Sequence, residues 1–266
     1  MIDASTKGDN DPRSDGELFA ATLVGDYDDQ QPWDAVTALR WRGSPEVFEL
    51  AKQKLASSEP RIRARALDVL AQLGAIKSPS ERPFIKESVV LAIQHTKDDS
   101  PEVVHSAAWA LAHLGGDEAI STLLAMKANT NADVRQAVAV GLHGAAEPRA
   151  VQTLIELMED EDEDVRDWAT FAISGFPPED SPEIRAALRK RLQDSYEEAR
   201  SEAVWGLAVR KDPEGLRMLL DRLTSDRWRD GDETAAAEAL DTDYNTPVEE
   251  LRSGLRRLLE GSSPHV

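Results

Sequence analysis

Two imidazoles and an indole, His105, Trp109 and His113, recur at i, i+4 and i+8, the spacing that stacks side chains on one face of a helix. Histidines so placed can hold a metal, but a zinc site of this type uses a pairing such as HExxH with further ligands. The sequence has no such pairing, so we read these residues as groove-facing groups that bind a partner or face water, and assign no metal. Glu159 to Asp164 are six consecutive acids. A calcium loop interrupts its carboxylates with a glycine bend, and that glycine is missing, which favours a solvated acidic turn. Arg63, Arg135, Arg166 and Arg200 each follow an apolar residue at the start of a repeated segment, a ladder able to meet phosphates or carboxylates. There is no Gly-rich phosphate loop, no Gly-x-Ser-x-Gly elbow and no carboxylate pair that stands out from the acidic background. No reaction and no cofactor follow, and a non-enzyme is expected.

Composition narrows the setting of these residues. Of 266 residues, 31 are Lys or Arg and 50 are Asp or Glu, a formal net charge of −19, which repels phosphate backbones and disfavours nucleic acid as a partner. With no cysteine, a disulfide framework, a Cys nucleophile, thiolate zinc sites and iron–sulfur clusters are excluded. The N-terminus carries Asp3, Asp9 and Asp11 rather than a basic segment, and no apolar run approaches the roughly 18 residues of a membrane helix. A cytoplasmic protein without membrane contact is expected.

The elements that position these residues are helices. Aromatic residues make up 5% of the chain, helix formers dominate and alternating strand patterns are absent. Taking Ile62, Val103, Val134, Val165 and Ala199 as anchors, offsets +4, +7 and +8 are apolar and mostly small: Ala66, Val69, Leu70; Ala107, Ala110, Leu111; Val138, Gly141, Leu142; Ala169, Ala172, Ile173; Ala203, Gly206, Leu207. Weaker copies at Gln31 and Asp232 make seven units, spaced by 31, 41, 31, 31, 34 and 33 residues. At about 100° per residue these offsets share one sector of a helix. A second helix follows each, marked by Val47, Phe48, Ala51 and Leu55, by Ile120, Leu123 and Met126, by Val151, Leu154 and Leu157, and by Leu216, Leu219 and Leu223. A hairpin with one apolar face cannot bury it alone, so the hairpins must stack: the fold class is all-α, an α-solenoid of about seven helical hairpins. Ser44-Pro45-Glu46, Ser100-Pro101-Glu102 and Ser181-Pro182-Glu183 set helix starts with a capping hydroxyl, a first-turn proline and an acid. Insertions fall around Ile76 to Lys86 and Phe176 to Asp180. Residues 1–15 read as a disordered acidic tail and 16–266 as a single solenoid domain, with Glu17 to Val24 and Leu251 to Leu259 as end caps.

The recurring Asp-x-x-Val-Arg-x-x-x-Ala-x-x-Ala-Leu, as in Glu163-Asp164-Val165-Arg166 to Ile173 and Ala132-Asp133-Val134-Arg135 to Leu142, resembles HEAT repeats, in particular the short type named after phycobilisome lyases. The resemblance spans roughly residues 30 to 259. It implies that the helix opening with Val-Arg lines a concave face. It also implies that the arginine bonds to an acid of a neighbouring turn and locks repeat to repeat. The second unit departs from the pattern, with Val104 in place of the arginine.

On these helices offset +6 lies about 145° from the centre of the apolar sector. This column reads Thr37, Asp68, Trp109, Val140, Phe171 and Trp205. Large apolar groups aligned where solvent is expected would anchor a protein partner, and packing of the same rings between repeats is the competing reading. Trp168, at +3 on the flank, is expected to pack. Offset −1, about 20° away, reads Glu102, Asp133, Asp164 and Glu198, which would rim the same groove or simply favour helix starts through the dipole. An apolar stripe edged by acids suits a basic or amphipathic polypeptide. The leading expectation is a monomeric, non-catalytic scaffold that holds such a partner through Trp109, Val140, Phe171, Trp205, the four acids, His105 and His113. The alternatives are an immunity or inhibitor protein against a basic toxin or enzyme, a phycobilin-lyase-like subunit for chromophore attachment, and a HEAT-like DNA glycosylase.

Overall fold

A computed structural model describes residues 11–27, 29–75, 82–145, 147–175, 180–225, 229 and 231–261. Among these residues there are helices and no strands. The chain divides into two compact units, residues 1–141 and 142–266. The N-terminal unit holds α1 (Asp15–Ala21), α2 (Gln30–Arg42), α3 (Pro45–Lys54), α4 (Pro60–Gln72), α5 (Ile85–His95), α6 (Pro101–Leu114), α7 (Asp117–Met126) and α8 (Ala132–Gly141). The C-terminal unit holds α9 (Pro148–Leu157), α10 (Glu163–Gly175), α11 (Pro182–Arg191), α12 (Glu197–Val209), α13 (Pro213–Thr224), α14 (Asp232–Leu240) and α15 (Val248–Gly261). Within each unit the even-numbered helices form one row and the odd-numbered helices return between them: α4 packs on α2 and α6, α6 on α8, and α12 on α10 and α14. This is the α-solenoid that the repeat pattern predicts.

The repeat positions account for the core. Ala66, Val69, Leu70, Ala107, Ala110, Leu111, Ala169, Ala172, Ile173, Ala203 and Leu207 are all at most 2% exposed. Small residues at +7 let the next helix approach. A Cβ added to Gly141 would stand 2.9 Å from Ala112 Cα of α6, and one on Gly206 would stand 2.9 Å from Ser174 Cβ of α10. Truncating a buried leucine of this core costs about 2–5 kcal/mol.

The arginine locks expected from the resemblance are present in both units. Arg63 of α4 is bidentate on Asp98, in the turn before α6, through Nε at 2.9 Å and Nη2 at 2.7 Å. Arg166 of α10 binds Asp194, before α12, at 2.9 and 3.0 Å. In each case Nη1 turns back to carbonyls six and five residues earlier: Ser57 and Ser58 for Arg63, Asp160 and Glu161 for Arg166. Arg135 meets Asn129 and Thr130 in the same way, and Arg200 meets Asp194 and Ser195. Asp98 also accepts from Ser100 N–H and Asp194 from Tyr196 N–H, so one acid fixes both the lock and the start of the next helix. The Arg63 guanidinium holds the Asp98 carboxyl below its usual range. Burial pushes Asp194 up, but Arg166, Tyr196 N–H and Arg191 outweigh it and leave it below the usual range.

Helix starts follow the sequence with one correction. Ser44 and Ser181 accept from Val47 N–H and Ile184 N–H, whereas the Ser100 hydroxyl makes no capping bond, because Asp98 has taken over the turn. The first helix runs from Asp15 to Ala21 with a Ser14–Glu17 capping box. Of the expected tail only residues 11–15 are described. Arg42 donates to the Asp11 and Arg13 carbonyls and pairs with Asp15. Of the two insertions, 76–81 and 176–179 lie outside the described residues.

Candidate functional site

In the N-terminal unit the turn between α1 and α2 delivers Tyr27 over α4 and α6. Its hydroxyl donates to Asp68 Oδ2 at 2.8 Å and lies 3.2 Å from Ser106 Oγ. Arg65, wholly buried, donates to the same carboxylate oxygen at 3.3 Å and to the Tyr27 carbonyl at 2.6 Å. Its guanidinium lies over the Tyr27 ring at 3.9 Å and over the Trp33 ring at 5.1 Å. Burial pushes the pKa of both Asp68 and Tyr27 above the ordinary value. The rings form a chain: Trp33 to Tyr27, 5.9 Å; Tyr27 to His105, 6.2 Å; His105 to Trp109, 6.4 Å; Trp109 to His113, 5.9 Å. Around them is a cavity of about 310 Å³, floored by Ala71 and Ala110. Trp109 and His105 are therefore half-buried cavity walls, and His113 stands at the exposed end of the chain. Desolvation, with Arg82 and Arg40 nearby, holds the His113 imidazole below its ordinary range.

In the C-terminal unit the same offset has a different outcome. Phe171 is half-buried, stacked on His143 at 5.2 Å and tilted against Trp205 at 5.9 Å. Trp205 is half-buried as well. Its Nε1–H donates to Glu238 Oε2 of α14 at 2.6 Å, and its ring covers Gly175 of α10. Phe171 thus packs between His143 and Trp205, Trp205 packs against α10 and Glu238 of α14, and each leaves part of its ring exposed. Trp168 corrects the expectation of packing: it is 36% exposed and meets Phe171 edge-on at 5.7 Å.

Acids surround this row. Asp164 and Glu198 are exposed, as sequence spacing expects, and Glu198 sits 3.7 Å from Arg229. Between them Asp167 of α10 and Glu202 of α12 each bury one carboxylate oxygen, Asp167 Oδ1 and Glu202 Oε2, with no hydrogen-bond partner among the described residues. Burial, with Glu198 and Asp164 nearby, pushes Asp167 up to about 6. Burial and Asp167 push Glu202 to about 7. Three of the six acids of 159–164 serve the turn: Glu159 pairs with Arg191 at 3.2 Å, Asp160 Oδ1 accepts from Asp162 N–H, and Asp162 Oδ1 from Asp164 and Val165 N–H. No group of three His, Asp or Glu side chains is arranged to hold a metal among the described residues. In the N-terminal unit Glu102 and Val140 are half-buried and Asp133 is exposed, on α6 and α8.

Sequence reasoning missed Tyr27, Trp33, Arg65 and Ser106 as parts of one site. Asp68 offered a signal, since it occupies +6, one unit before Trp109. Tyr27 offered none, because it lies in a turn outside the repeat. The acidity is also unevenly shared: residues 1–141 hold 21 acids against 15 bases, and residues 142–266 hold 29 against 16.

Comparisons with known proteins agree with the fold. The sequence profile described as HEAT repeats matches residues 89–174 and 152–241. Protein YibA of Escherichia coli (strain K12) is 29% identical over 243 residues, covering 85% of this chain and 80% of that protein. The X-ray structure of E. coli YibA aligns over 94% of this chain and 93% of its own with a TM-score of 0.69 and 24% identity. A solved structure in which Kap95p binds RanGDP aligns over 99% of this chain and 38% of that one, with a TM-score of 0.60 and 14% identity.

Proposed function

Because the chain belongs to the HEAT-repeat family, whose repeated residues build a scaffold and not a reaction centre, we propose that it is a non-catalytic scaffold holding a basic or amphipathic polypeptide. The observation that carries this reading is the row Trp168, Phe171 and Trp205, each part-exposed, with Asp164, Asp167, Glu198 and Glu202 on the same two helices. Part-open aromatic rings supply anchoring area. The acids steer a cationic segment toward them and disfavour acidic competitors. A Lys or Arg arriving beside Asp167 and Glu202 favours the charged forms that burial now disfavours, a gain that acids already paired with a base would not offer. Val140, Glu102 and Asp133 carry the same chemistry in the N-terminal unit. Kap95p, of like fold, binds RanGDP, a use of such a scaffold for a protein ligand.

Affinity capture from the native organism tests the reading, with the wild type set beside Trp168→Ala/Phe171→Ala, a pair that leaves the Trp205–Glu238 bond intact. The expected result is a partner with a basic or amphipathic segment, retained at low salt by the wild type and lost from the variant at unchanged helicity. A partner held equally by both proteins, or one whose contact is acidic, overturns it.

A further inference from the structure

The cavity beside Tyr27 has features that a surface for a polypeptide does not need. It lies wholly within the N-terminal unit, and its about 310 Å³ falls at the small end of ligand pockets. Room exists because Ala71 and Ala110, where larger side chains would fill the space, end at Cβ. Its walls are already fixed. Tyr27 is pinned at its hydroxyl by Asp68, which is 5% exposed, and at its carbonyl by Arg65, while the guanidinium packs on both Tyr27 and Trp33. A ligand arriving there meets rings whose rotamer freedom has already been lost, which favours affinity.

Charge and shape specify the occupant. The Asp68 carboxylate is neutralised by Arg65, so a cation would sit beside a guanidinium and an anion beside a carboxylate. Aromatic walls favour a flat partner in offset-stacked or edge-to-face contact. The lining also includes the amides of Gln72 and Gln136, each a donor and an acceptor, together with the imidazoles. An all-carbon ring would leave those groups unpaired, whereas a ring with N–H and C=O or N edges pairs them. We propose that this cavity is a binding site for a small, uncharged, planar heteroaromatic molecule, stacked on Trp109 and hydrogen-bonded at its edge by Gln72 and Gln136. The site is separate from the polypeptide surface of the C-terminal unit and does not depend on it.

The test is an NMR titration of the full-length ¹⁵N-labelled chain, following the indole N–H signals of its six tryptophans, assigned by Trp→Phe variants. Adenine and indole are the planar uncharged probes; benzoate and tetramethylammonium are the charged controls. The expected result is a saturable shift with adenine, larger than with indole, confined to Trp33 and Trp109. Trp109→Ala should weaken it about tenfold or more, the loss of one stacking ring. Gln136→Ala, a rim change that leaves the Tyr27–Asp68–Arg65 cluster untouched, should weaken adenine at unchanged Tm and affect indole less. Trp168→Ala/Phe171→Ala should bind adenine like the wild type, whatever its effect on a protein partner. No saturable shift with either planar probe at millimolar concentration overturns the proposal. So does an equal response to tetramethylammonium or benzoate, or a shift of Trp168 and Trp205 equal to that of Trp109.

Discussion

The two units surround one repeat position differently. At +6 the N-terminal unit has Asp68 and Trp109, drawn into a ring-lined cavity whose charge is cancelled internally by Arg65. At the same offset the C-terminal unit has Phe171 and Trp205, packed against neighbouring repeats with part of each ring exposed, beside the exposed Trp168 and beside Asp167 and Glu202, each with a buried oxygen that has no hydrogen-bond partner among the described residues. What differs is the material outside the repeat. Tyr27 arrives from the turn before α2 and covers the first position, while the described residues of the C-terminal unit bring a carboxylate, Glu238, to Trp205 instead. The repeat thus sets where a side chain emerges, and residues outside the repeat set what it meets there.

The largest expected effect breaks the enclosed side of this contrast. Arg65→Ala leaves Asp68 buried without its counter-ion and should cost about 3–5 kcal/mol in urea unfolding. Asp194→Ala removes the lock to Arg166 together with bonds from Arg191 and Tyr196 N–H, and should cost about 2–4 kcal/mol. Asp98→Ala, with the same lock but no second arginine among the described residues, should cost less, so reversed values would show that the units are not built alike.

The pH dependence sharpens the open side. Asp167 and Glu202 have folded values near 6 and 7, above those of the unfolded chain, so the folded state binds extra protons and gains stability as pH falls through these values. Lowering pH from 8 to 5 should raise Tm by about 2–6 °C, and Asp167→Asn/Glu202→Gln should flatten the profile. At still lower pH the locks at Asp98 and Asp194, held below the ordinary carboxylate range, protonate and stability falls. A Tm that declines steadily from pH 8 downward would contradict the assignment. The smallest effect belongs to Trp168→Ser, which should change stability by no more than about 0.5 kcal/mol, as at an ordinary surface position, while weakening partner capture.

Much of this fold was legible in the sequence because each repeat writes its core as small and apolar residues at fixed offsets, and each lock as an arginine one residue past the anchor. The acids at Glu102, Asp133, Asp164 and Glu198 were legible for the same reason, being tied to the helix start. The cavity was not. It depends on Tyr27, in a turn with no periodicity, and on an arginine, Arg65, whose burial no offset announces. Trp168 was misread because its flank position is buried or open according to the neighbouring helix, which helical phase alone does not specify.

The most direct test of the central claim is hydrogen–deuterium exchange on the captured complex against the free protein. The account predicts amide protection concentrated on α10 and α12, over residues 163–175 and 197–209. Protection confined to α9, α11 and α13 would place the partner on the other row of helices and contradict it.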